Sequence, residues 1–348
     1  MQHNTDIFPG RYIPSNGRKY LYFGGTAYLG LQTDPEFQGL LQSQITKYGS
    51  NYGASRKSNV QLAIYGQTEA HLAQWVGSGA CTTLSSGYMA AQLVRYFFER
   101  EGHTLFYAPN SHVAMHSIHS VPFDSYGALG AALKEYLGQG PTKAPVVLLD
   151  SVGFTPNAYP HFTGLKSLPL DQVIVVADDS HGIGILGEHG KGSFQPLKQL
   201  VPKELIVCTS LGKGLALQAG AIFGSQSRIS QLTDTALFGG ASPAAPALLA
   251  TLRLATSLIA QKRTILQENI ARFKERFNHP KIRLYTIPGH PAFSFHTMEL
   301  AAHLEENGIL ITHFGYPENQ SDHVSRIVLS AHHTKADIET LTKVLNLF

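Results

Sequence analysis

Between about residue 25 and residue 235, apolar runs of strand length alternate with stretches of helical character. Four of these runs are almost uninterrupted by polar residues: VVLLD (146–150), VIVVAD (173–178), LIVCTS (205–210) and GAIFG (220–224). Continuous apolar runs are typical of strands covered on both faces, as in a mostly parallel sheet with helices on either side. We therefore predict an α/β fold with a mostly parallel central sheet sandwiched by helices.

Two helices outside this alternation have clear boundaries. One opens at Thr33-Asp34-Pro35-Glu36, where a capping side chain precedes a proline that needs no amide partner. Its apolar positions are Phe37, Leu40, Leu41 and Ile45. A long helix, or two helices in series, is predicted over residues 243–278.

The last part of the chain has a different pattern, in which short strand-like pieces flank helices predicted over 297–306 and 334–347. This arrangement indicates a small α+β domain. We expect a leader segment over residues 1–24, a large domain over 25–240 and a small C-terminal domain over 241–348.

Composition and charge exclude several classes of protein. Of the 348 residues, 43% are apolar and only 15% are charged, so the chain can bury a large core and is not intrinsically disordered. The net charge of +3 comes without a run of five like charges, which argues against a nucleic acid or a membrane as partner. Because Cys81 and Cys208 cannot staple a chain of this length and no apolar signal segment opens it, we expect a cytoplasmic protein.

The segment DDSHGIGILGEHGKG (178–192) contains the spacing G-x-G-x-x-G at 182–187. In a dinucleotide-binding site such glycines run directly into a helix whose N-terminus faces the pyrophosphate. Here EHGKG (188–192) follows, which cannot form that helix, and polar residues separate the predicted strand from the first glycine. We therefore reject a nicotinamide or flavin site.

Candidate chemical groups follow two of the predicted strands. Asp178 ends one strand, and the carboxyl ends of parallel strands face the crevice in which α/β sheets bind ligands. The alternative is that Asp178 and Asp179 only cap the loop. Lys213 follows the next strand in TSLGKG (209–214), between glycines that let a flat ligand approach closely, although a solvated loop lysine has the same pattern. A P-loop is excluded because Gly214 stands where that motif has Ser or Thr.

A third candidate is the helix start at Ser85-Ser86-Gly87-Tyr88. Small residues at a helix N-terminus leave amides available for a single phosphate, although alone this would be an ordinary N-cap. A lysine for a Schiff base, a carboxylate for a pyridinium nitrogen and a helix N-terminus for a phosphate are together what pyridoxal 5'-phosphate (PLP) requires. The sequence therefore predicts a PLP site.

Longer motifs resemble the α-oxoamine synthase family of fold-type I PLP-dependent enzymes. The resemblance extends over almost the whole chain, and VADDSHGIGILGEHGKGS (176–193) is its most specific part. The other matching segments are AYLGL (27–31), YGSNYGASR (48–56), TEAHLAQWVG (68–77), LSSGYMAA (84–91), NSHVAMHS (110–117), TSLGKG (209–214) and SRIVLSAHHT (325–334).

The resemblance implies roles for residues around the cofactor. Lys213 would form the Schiff base, Asp178 would bind the pyridinium nitrogen, and His181 would hydrogen-bond the phenolic oxygen. His112 would stack on the ring and, with Lys213, move protons. The phosphate would be held by Ser210 and the backbone of Ser86, Gly87 and Tyr88.

The resemblance also implies the reaction and the partners. Arg326 would bind the carboxylate of an amino acid substrate, and Tyr28 would lie on the substrate side. The enzyme would condense the amino acid with an acyl-CoA, and it would act as a homodimer with active sites at the subunit interface. An aminotransferase or lyase on the same cofactor, or a PLP-binding protein without turnover, are the alternatives.

Several positions depart from the family pattern. Thr26 and Ala27 precede Tyr28 where the family has Asn and Asp, and the segment before them is shorter than usual. Residues 154–156, Phe-Thr-Pro, replace a serine-methionine pair. Gly239-Gly240 replaces a Ser/Thr pair that in the family reaches the partner subunit's phosphate. These departures concern the substrate side and the subunit interface rather than the cofactor residues.

Three histidines suggest a metal site, because His112, His116 and His119 have the spacing of one helical face. A zinc site usually also takes ligands from a second element, and the resemblance requires only the first histidine. We therefore predict no metal here. His332-His333 is predicted to be a strand-to-helix corner.

Overall fold

A computed structural model describes residues 3–15, 17–109, 111–117, 120–154, 157–316 and 319–348. The strands of this part of the chain are β1 (Tyr12–Ser15), β2 (Arg18–Phe23), β3 (Ala80–Leu84), β4 (Leu105–Tyr107), β5 (Val146–Asp150), β6 (Ile174–Asp178), β7 (Glu204–Ser210), β8 (Gly220–Gly224), β9 (Tyr285–Thr286), β10 (Ala292–Ser294), β11 (Ile309–Tyr316) and β12 (Asn319–Val328).

The α-helices include every long helix that the pattern of apolar positions predicted. They are α1 (Pro35–Tyr48), α2 (Ala63–Val76), α3 (Gly87–Arg100), α4 (Tyr126–Gly138), α5 (Thr163–Lys166), α6 (Phe194–Lys198), α7 (Gln226–Thr233), α8 (Ala236–Gly240), α9 (Pro246–Leu254), α10 (Thr256–Arg276), α11 (Met298–Glu306) and α12 (Lys335–Asn346). Within the described ranges, none is long and apolar enough to cross a membrane.

The larger of two compact units comprises Gly39–Thr256 and contains a six-stranded sheet in the order β3-β8-β7-β6-β5-β4. Strands β4 to β7 are parallel to one another, whereas β8 is antiparallel to both β7 and β3. All but the last residue of β5 and of β6 are buried, as continuous apolar runs require of strands covered on both faces. The predicted α/β architecture with a mostly parallel central sheet is confirmed.

The second unit comprises Met1–Gln38 and Ser257–Phe348, and its sheet has the order β1-β2-β11-β12-β10-β9. Residues 1–24 were predicted to be a separate leader, but β2 pairs in parallel with β11. Arg11 also donates two hydrogen bonds to the carboxylate of Asp337 at the start of α12, with N···O distances of 2.6 and 2.8 Å. The N-terminal segment is therefore part of the C-terminal unit.

The observed division also differs from the predicted boundary at residues 240 and 241. Helix α9 stays with the larger unit, where it packs on α2. The hydroxyl of Tyr65 donates to the carbonyl of Ala244 at 2.9 Å, and that of Thr68 donates to the carbonyl of Leu249 at 3.2 Å. These buried bonds join segments about 180 residues apart, a separation across which a sequence pattern carries no signal.

Helix α1 begins where its capping signal predicted. One carboxylate oxygen of Asp34 accepts the amide hydrogens of Glu36 and Phe37, at 3.0 and 3.1 Å. Of its four predicted apolar positions, however, only Phe37 is buried, and 43% of Ile45 is exposed. Leu40 and Leu41 are half-buried, so the predicted apolar face of α1 is only partly covered in the single chain.

The histidines at 112 and 116 do not lie on one face of a helix. They flank a single 3-10 turn, Val113–Met115, and both have extended backbone angles. His119 lies outside the described residues. The premise of a helical three-histidine face is therefore wrong for His112 and His116, because the described residues between β4 and α4 contain a 3-10 turn and no α-helix. His332-His333 does lie at a corner, between β12 and α12.

Candidate active site

The carboxyl ends of β5, β6 and β7 lie side by side in the larger unit. Asp150, Asp178 and Cys208 stand in register across these three parallel strands. Asp178 is half-buried, and one of its oxygens accepts the amide hydrogen of Ser180 at 2.8 Å. As predicted, Asp178 therefore lies at the edge of the sheet where α/β proteins bind ligands.

The neighbouring Asp179 is a structural residue of the loop. Only 2% of it is exposed, and its two carboxylate oxygens accept hydrogen bonds from the Ser151 hydroxyl at 2.6 Å and the Ser193 amide at 3.0 Å. Burial raises the pKa of Asp179 to about 6, although these hydrogen bonds act in the opposite direction. The loop-capping alternative therefore describes Asp179, while the role of Asp178 toward a ligand stays a prediction.

The glycines of the rejected G-x-G-x-x-G segment pack around Asp179. A Cβ atom at Gly182 would lie 2.1 Å from one carboxylate oxygen, and a Cβ at Gly192 would lie 1.9 Å from the other. These glycines therefore permit the close approach of the loop to a buried carboxylate. In a dinucleotide-binding site, by contrast, the glycines permit the approach of a pyrophosphate.

We expect Gly182→Ala to lower the free energy of unfolding by about 1–3 kcal/mol, because the added methyl group overlaps Asp179, which cannot move without losing its hydrogen bonds. Urea unfolding measures this change. The matched control is Gly66→Ala in α2, where nothing lies within 4 Å of the new Cβ and the exposed helical position favours alanine by roughly 0.5–1 kcal/mol. Equal stability of the two variants would contradict the packing argument.

Lys213 lies in the loop that follows β7. Its Nζ atom is 2.9 Å from Nε2 of His181, which belongs to the loop after β6. A Cβ atom at Gly214 would lie 2.9 Å from the carbonyl oxygen of Ile183, so the absence of a side chain lets these two loops pack together. The structure therefore brings together two residues that are 32 positions apart in the sequence and that were both predicted to contact the cofactor.

The N-terminus of α3 packs on the end of β7. The hydroxyl of Ser86 accepts the amide hydrogen of Met89 at 3.1 Å and caps the helix. A Cβ atom at Gly87 would lie 2.7 Å from the Cα of Ser210, so only glycine permits this approach. The first-turn amides of Gly87 and Tyr88 have no acceptor within the helix, and the Ser210 hydroxyl lies beside this turn. These are the groups predicted to hold a phosphate.

His112 reaches the same region from the segment after β4. Its backbone amide donates to a carboxylate oxygen of Asp150 at 3.0 Å, and its Nδ1 accepts the amide hydrogen of Ala114 at 3.1 Å. Partial burial and the charge of Lys213 lower the pKa of His112, whereas the charge of Asp178 acts in the opposite direction. The side chain of His112 therefore lies within electrostatic reach of both predicted cofactor residues.

The two predicted substrate residues belong to the other unit. Arg326 is half-buried on β12, between Thr312 of β11 and Ser294 of β10. Tyr28 is only 2% exposed and packs edge-on against His290, with ring centroids 5.4 Å apart. Burial raises the pKa of Tyr28, while the charge of Arg326 acts in the opposite direction. Their roles toward a substrate stay predictions.

The altered glycine pair lies at the end of α8. The hydroxyl of Ser55 donates to the carbonyl of Gly239 at 2.6 Å, and a Cβ atom at Gly239 would lie 3.0 Å from the side chain of Lys57. A Cβ atom at Gly240 would meet nothing within 4 Å. Gly239 therefore packs against the segment after α1. Of the altered positions 154–156, Thr155 and Pro156 lie outside the described residues.

Sequence reasoning missed Asp150 and Ser151. Both follow the apolar run VVLL, just as Asp178 and Asp179 follow IVVA, so the same strand-end signal could have identified them. Asp150 bonds the backbone of His112, and Ser151 bonds Asp179. The two pairs lie at the ends of neighbouring strands, where the hydrogen bond from Ser151 to Asp179 joins them.

The residues at this edge fit PLP by the chemistry of their donors. The Lys213 amine, the Asp178 carboxylate and the His181 imidazole can meet a carbonyl carbon, a ring nitrogen and a phenolic oxygen. The first turn of α3 and the Ser210 hydroxyl offer hydrogen-bond donors to a phosphate. No group of three or more potential metal ligands occurs among the residues that the structure describes.

Comparisons with known proteins agree with this chemistry. No protein-family model matches the chain. It is 28% identical to the 8-amino-7-oxononanoate synthase of Aliivibrio fischeri strain MJ11, over 95% of this chain and 89% of that protein. The fold matches the serine palmitoyltransferase of Sphingomonas wittichii with a TM-score of 0.81 and 19% identity, over 99% of this chain and 91% of the other.

A second solved structure gives the same result. It is a lysine-to-alanine variant of the serine palmitoyltransferase from S. paucimobilis with a bound PLP–myriocin aldimine, and it matches with a TM-score of 0.79 and 19% identity, over 99% and 91% of the two chains. These comparisons confirm the predicted fold class and the resemblance to the α-oxoamine synthases. They also agree with the enzyme class and the cofactor that the resemblance implied.

Proposed function

We propose that this chain is a PLP-dependent acyltransferase that condenses an amino acid with an acyl-CoA, as α-oxoamine synthases do. The observation that carries the proposal is the approach of Lys213 Nζ to within 2.9 Å of His181 Nε2. This contact lies at the sheet edge that also holds Asp178, and it joins the lysine loop TSLGKG (209–214) to VADDSHGIGILGEHGKGS (176–193), the most specific part of the resemblance. The similarity to 8-amino-7-oxononanoate synthases over 95% of the chain supports the same reaction type.

When bound, PLP supplies an electron sink that stabilises negative charge at the α-carbon of an amino acid. Lys213 would hold the cofactor covalently, and the carboxylate of Asp178 would keep the ring nitrogen protonated through a charge-assisted hydrogen bond. His181 would bind the phenolic oxygen. The Ser210 hydroxyl and the amides of Ser86, Gly87 and Tyr88 would hold the phosphate.

His112 is suited both to cover the cofactor ring and to accept a proton. Burial and the charge of Lys213 lower the pKa of His112, whereas the charge of Asp178 acts in the opposite direction. Its Nδ1 accepts the Ala114 amide hydrogen, so the ring has a defined orientation. Lys213 and His112 are therefore the two bases that would move protons to and from the substrate.

Arg326 would bind the α-carboxylate of the amino acid, with Tyr28 on the substrate side. We expect Arg326→Ala to raise the KM for the amino acid by about 10–100-fold, because a charge-assisted bidentate hydrogen bond contributes roughly 1.5–3 kcal/mol. Cofactor binding should be unchanged. Steady-state kinetics and a PLP titration measure the two effects.

Arg283→Ala is the control, since Arg283 is an exposed arginine of the same unit that packs on Tyr285. An Arg326→Ala variant with the KM of the control variant would remove Arg326 from the substrate site.

The enzyme would act as a homodimer in the cytoplasm, with active sites at the subunit interface. Exposed apolar side chains close to the site residues in sequence support such an interface. They are Tyr88, Val113 and Val121, which are 58%, 54% and 79% exposed, respectively. An interface at this face would bury them next to the cofactor residues.

The reaction distinguishes the proposed function from its alternatives. We expect the purified enzyme to release thiol from an acyl-CoA only when the amino acid substrate is present, in proportion to the amino ketone formed. A thiol reagent and mass spectrometry of the product measure this across a panel of acyl-CoAs and amino acids. An aminotransferase would instead convert the cofactor to its pyridoxamine form with an amino acid alone, and a protein without turnover would do neither.

A further inference from the structure

Asp150 is a half-buried aspartate at the active-site edge that the proposed function does not use. It is the last residue of β5 and stands in register with Asp178 on the neighbouring parallel strand β6. Side chains at paired positions of adjacent parallel strands point to the same face of a sheet. The two carboxyl groups are therefore neighbours, and the proposed function uses only that of Asp178.

The hydrogen bond from His112 shows what Asp150 does in this structure. The backbone amide of His112 donates to a carboxyl oxygen of Asp150 at 3.0 Å. The imidazole of His112 is itself held, because its Nδ1 accepts the amide hydrogen of Ala114 at 3.1 Å. His112 is thus anchored at its main chain by β5 and at its ring by the following 3-10 turn.

This anchoring matters because His112 itself belongs to no strand or helix. Backbone angles of −77° and 147° place His112 outside the 3-10 turn, so no helical or strand hydrogen bond holds its amide. A side chain that must cover a flat ring needs a main chain in a defined place. The carboxyl group of Asp150 supplies the missing acceptor.

We propose that Asp150 is a positioning residue for His112, whose carboxyl group binds the His112 backbone amide and thereby fixes the imidazole over the cofactor site. The proposal rests on the proposed function for the role of His112. The hydrogen bond itself does not depend on that function.

The groups around Asp150 favour its uncharged form. Asp178 on β6, Lys213 after β7, His112 after β4 and Tyr126 on α4 all interact with it electrostatically. Burial, followed by the charge of Asp178, raises the pKa of Asp150 well above its ordinary value, while the His112 amide and the charge of Lys213 act in the opposite direction. These surroundings disfavour a negative charge on Asp150.

Hydrogen exchange of the His112 backbone amide tests the anchoring directly. It is measured by NMR on protein labelled with ¹⁵N-histidine. We expect Asp150→Ala to speed this exchange by at least about 10-fold, because the amide loses its acceptor. In Asp150→Asn the amide oxygen replaces the acceptor, so the rate should stay within about 3-fold of the wild type. Asp171→Ala, at an exposed aspartate of the same unit, is the control.

Kinetics of the loaded enzyme test whether Asp150 acts through His112. Asp150→Ala should lower kcat/KM by about 10–100-fold in the wild-type background but by less than about 3-fold in the His112→Ala background. Asp150→Asn should recover most of the loss and keep the pH profile of the wild type, because an uncharged amide replaces a carboxyl group whose surroundings favour its uncharged form.

Three results would overturn the proposal. The first is an unchanged exchange rate of the His112 amide in Asp150→Ala. The second is a loss of kcat/KM in the Asp150→Ala/His112→Ala double variant that equals the product of the two single losses. The third is a displaced pH profile in Asp150→Asn. If Asp150→Ala does not fold, Asp150→Asn still tests the proposal. Faster exchange of the His112 amide or a displaced pH profile in that variant contradicts it. Amide exchange needs no cofactor, so a wild-type protein that fails to bind PLP refutes the proposed function without affecting this measurement.

Discussion

Replacing Lys213 by alanine is expected to lower turnover by at least about 10³-fold, because the enzyme loses both its covalent hold on the cofactor and a base beside the reacting carbon. Lys213→Arg should be equally inactive, since it keeps the positive charge near His181 but cannot form a Schiff base. Borohydride reduction of the wild-type protein with PLP, followed by peptide mapping, should place the label on Lys213.

Lys198→Ala is the control for this experiment, because Lys198 is an exposed lysine of the same unit. It should retain both the label and the activity. A borohydride label on any other lysine, or normal turnover in Lys213→Ala, would refute the assignment of the cofactor site.

Substitutions of the two adjacent aspartates are expected to have different effects, on catalysis for Asp178 and on stability for Asp179. Asp178→Ala should lower kcat/KM by about 10²–10³-fold, since a preorganised charge at the ring nitrogen is lost, and should change the free energy of unfolding by less than about 1.5 kcal/mol. Asp179→Ala should instead lower the free energy of unfolding by about 2–4 kcal/mol, because the Ser151 hydroxyl and the Ser193 amide lose a buried acceptor.

Urea unfolding and steady-state kinetics on both variants test this separation, with Asp178→Asn as a further variant that preserves volume. The opposite outcome, in which Asp178→Ala retains near-native turnover while a folded Asp179→Ala does not, would show that Asp179 serves the cofactor. Their different surroundings make that outcome unexpected, because Asp179 is 2% exposed and packed between glycines.

Most of the large unit could be predicted from local patterns. The four apolar runs became β5 to β8 within one residue of their predicted bounds, and the capped helix start at Asp34 was also located correctly. Such features depend on side chains that are close in sequence, so the pattern of burial identifies them. The antiparallel direction of β8 did not follow from its composition, because a buried strand has the same apolar residues in either direction.

The apolar positions of α1 and the helical spacing of the histidines misled for one shared reason. Periodicity predicts which residues share a face if a helix forms, but it predicts neither that the helix forms nor what covers that face. Ile45 stays exposed on a real helix, while His112 and His116 flank only a short turn.

The cofactor chemistry of this protein could be inferred from local sequence alone, because Lys213, Asp178 and the helix start at Ser86 each follow a strand or open a helix, and strand ends and helix starts are local features. Three other features became visible only in the folded chain: that Asp179 is buried and hydrogen-bonded within its loop, that the N-terminal strands complete the C-terminal sheet, and that Asp150 accepts a hydrogen bond from His112. Each of these depends on groups far apart in the chain, whose distance and burial no local pattern contains.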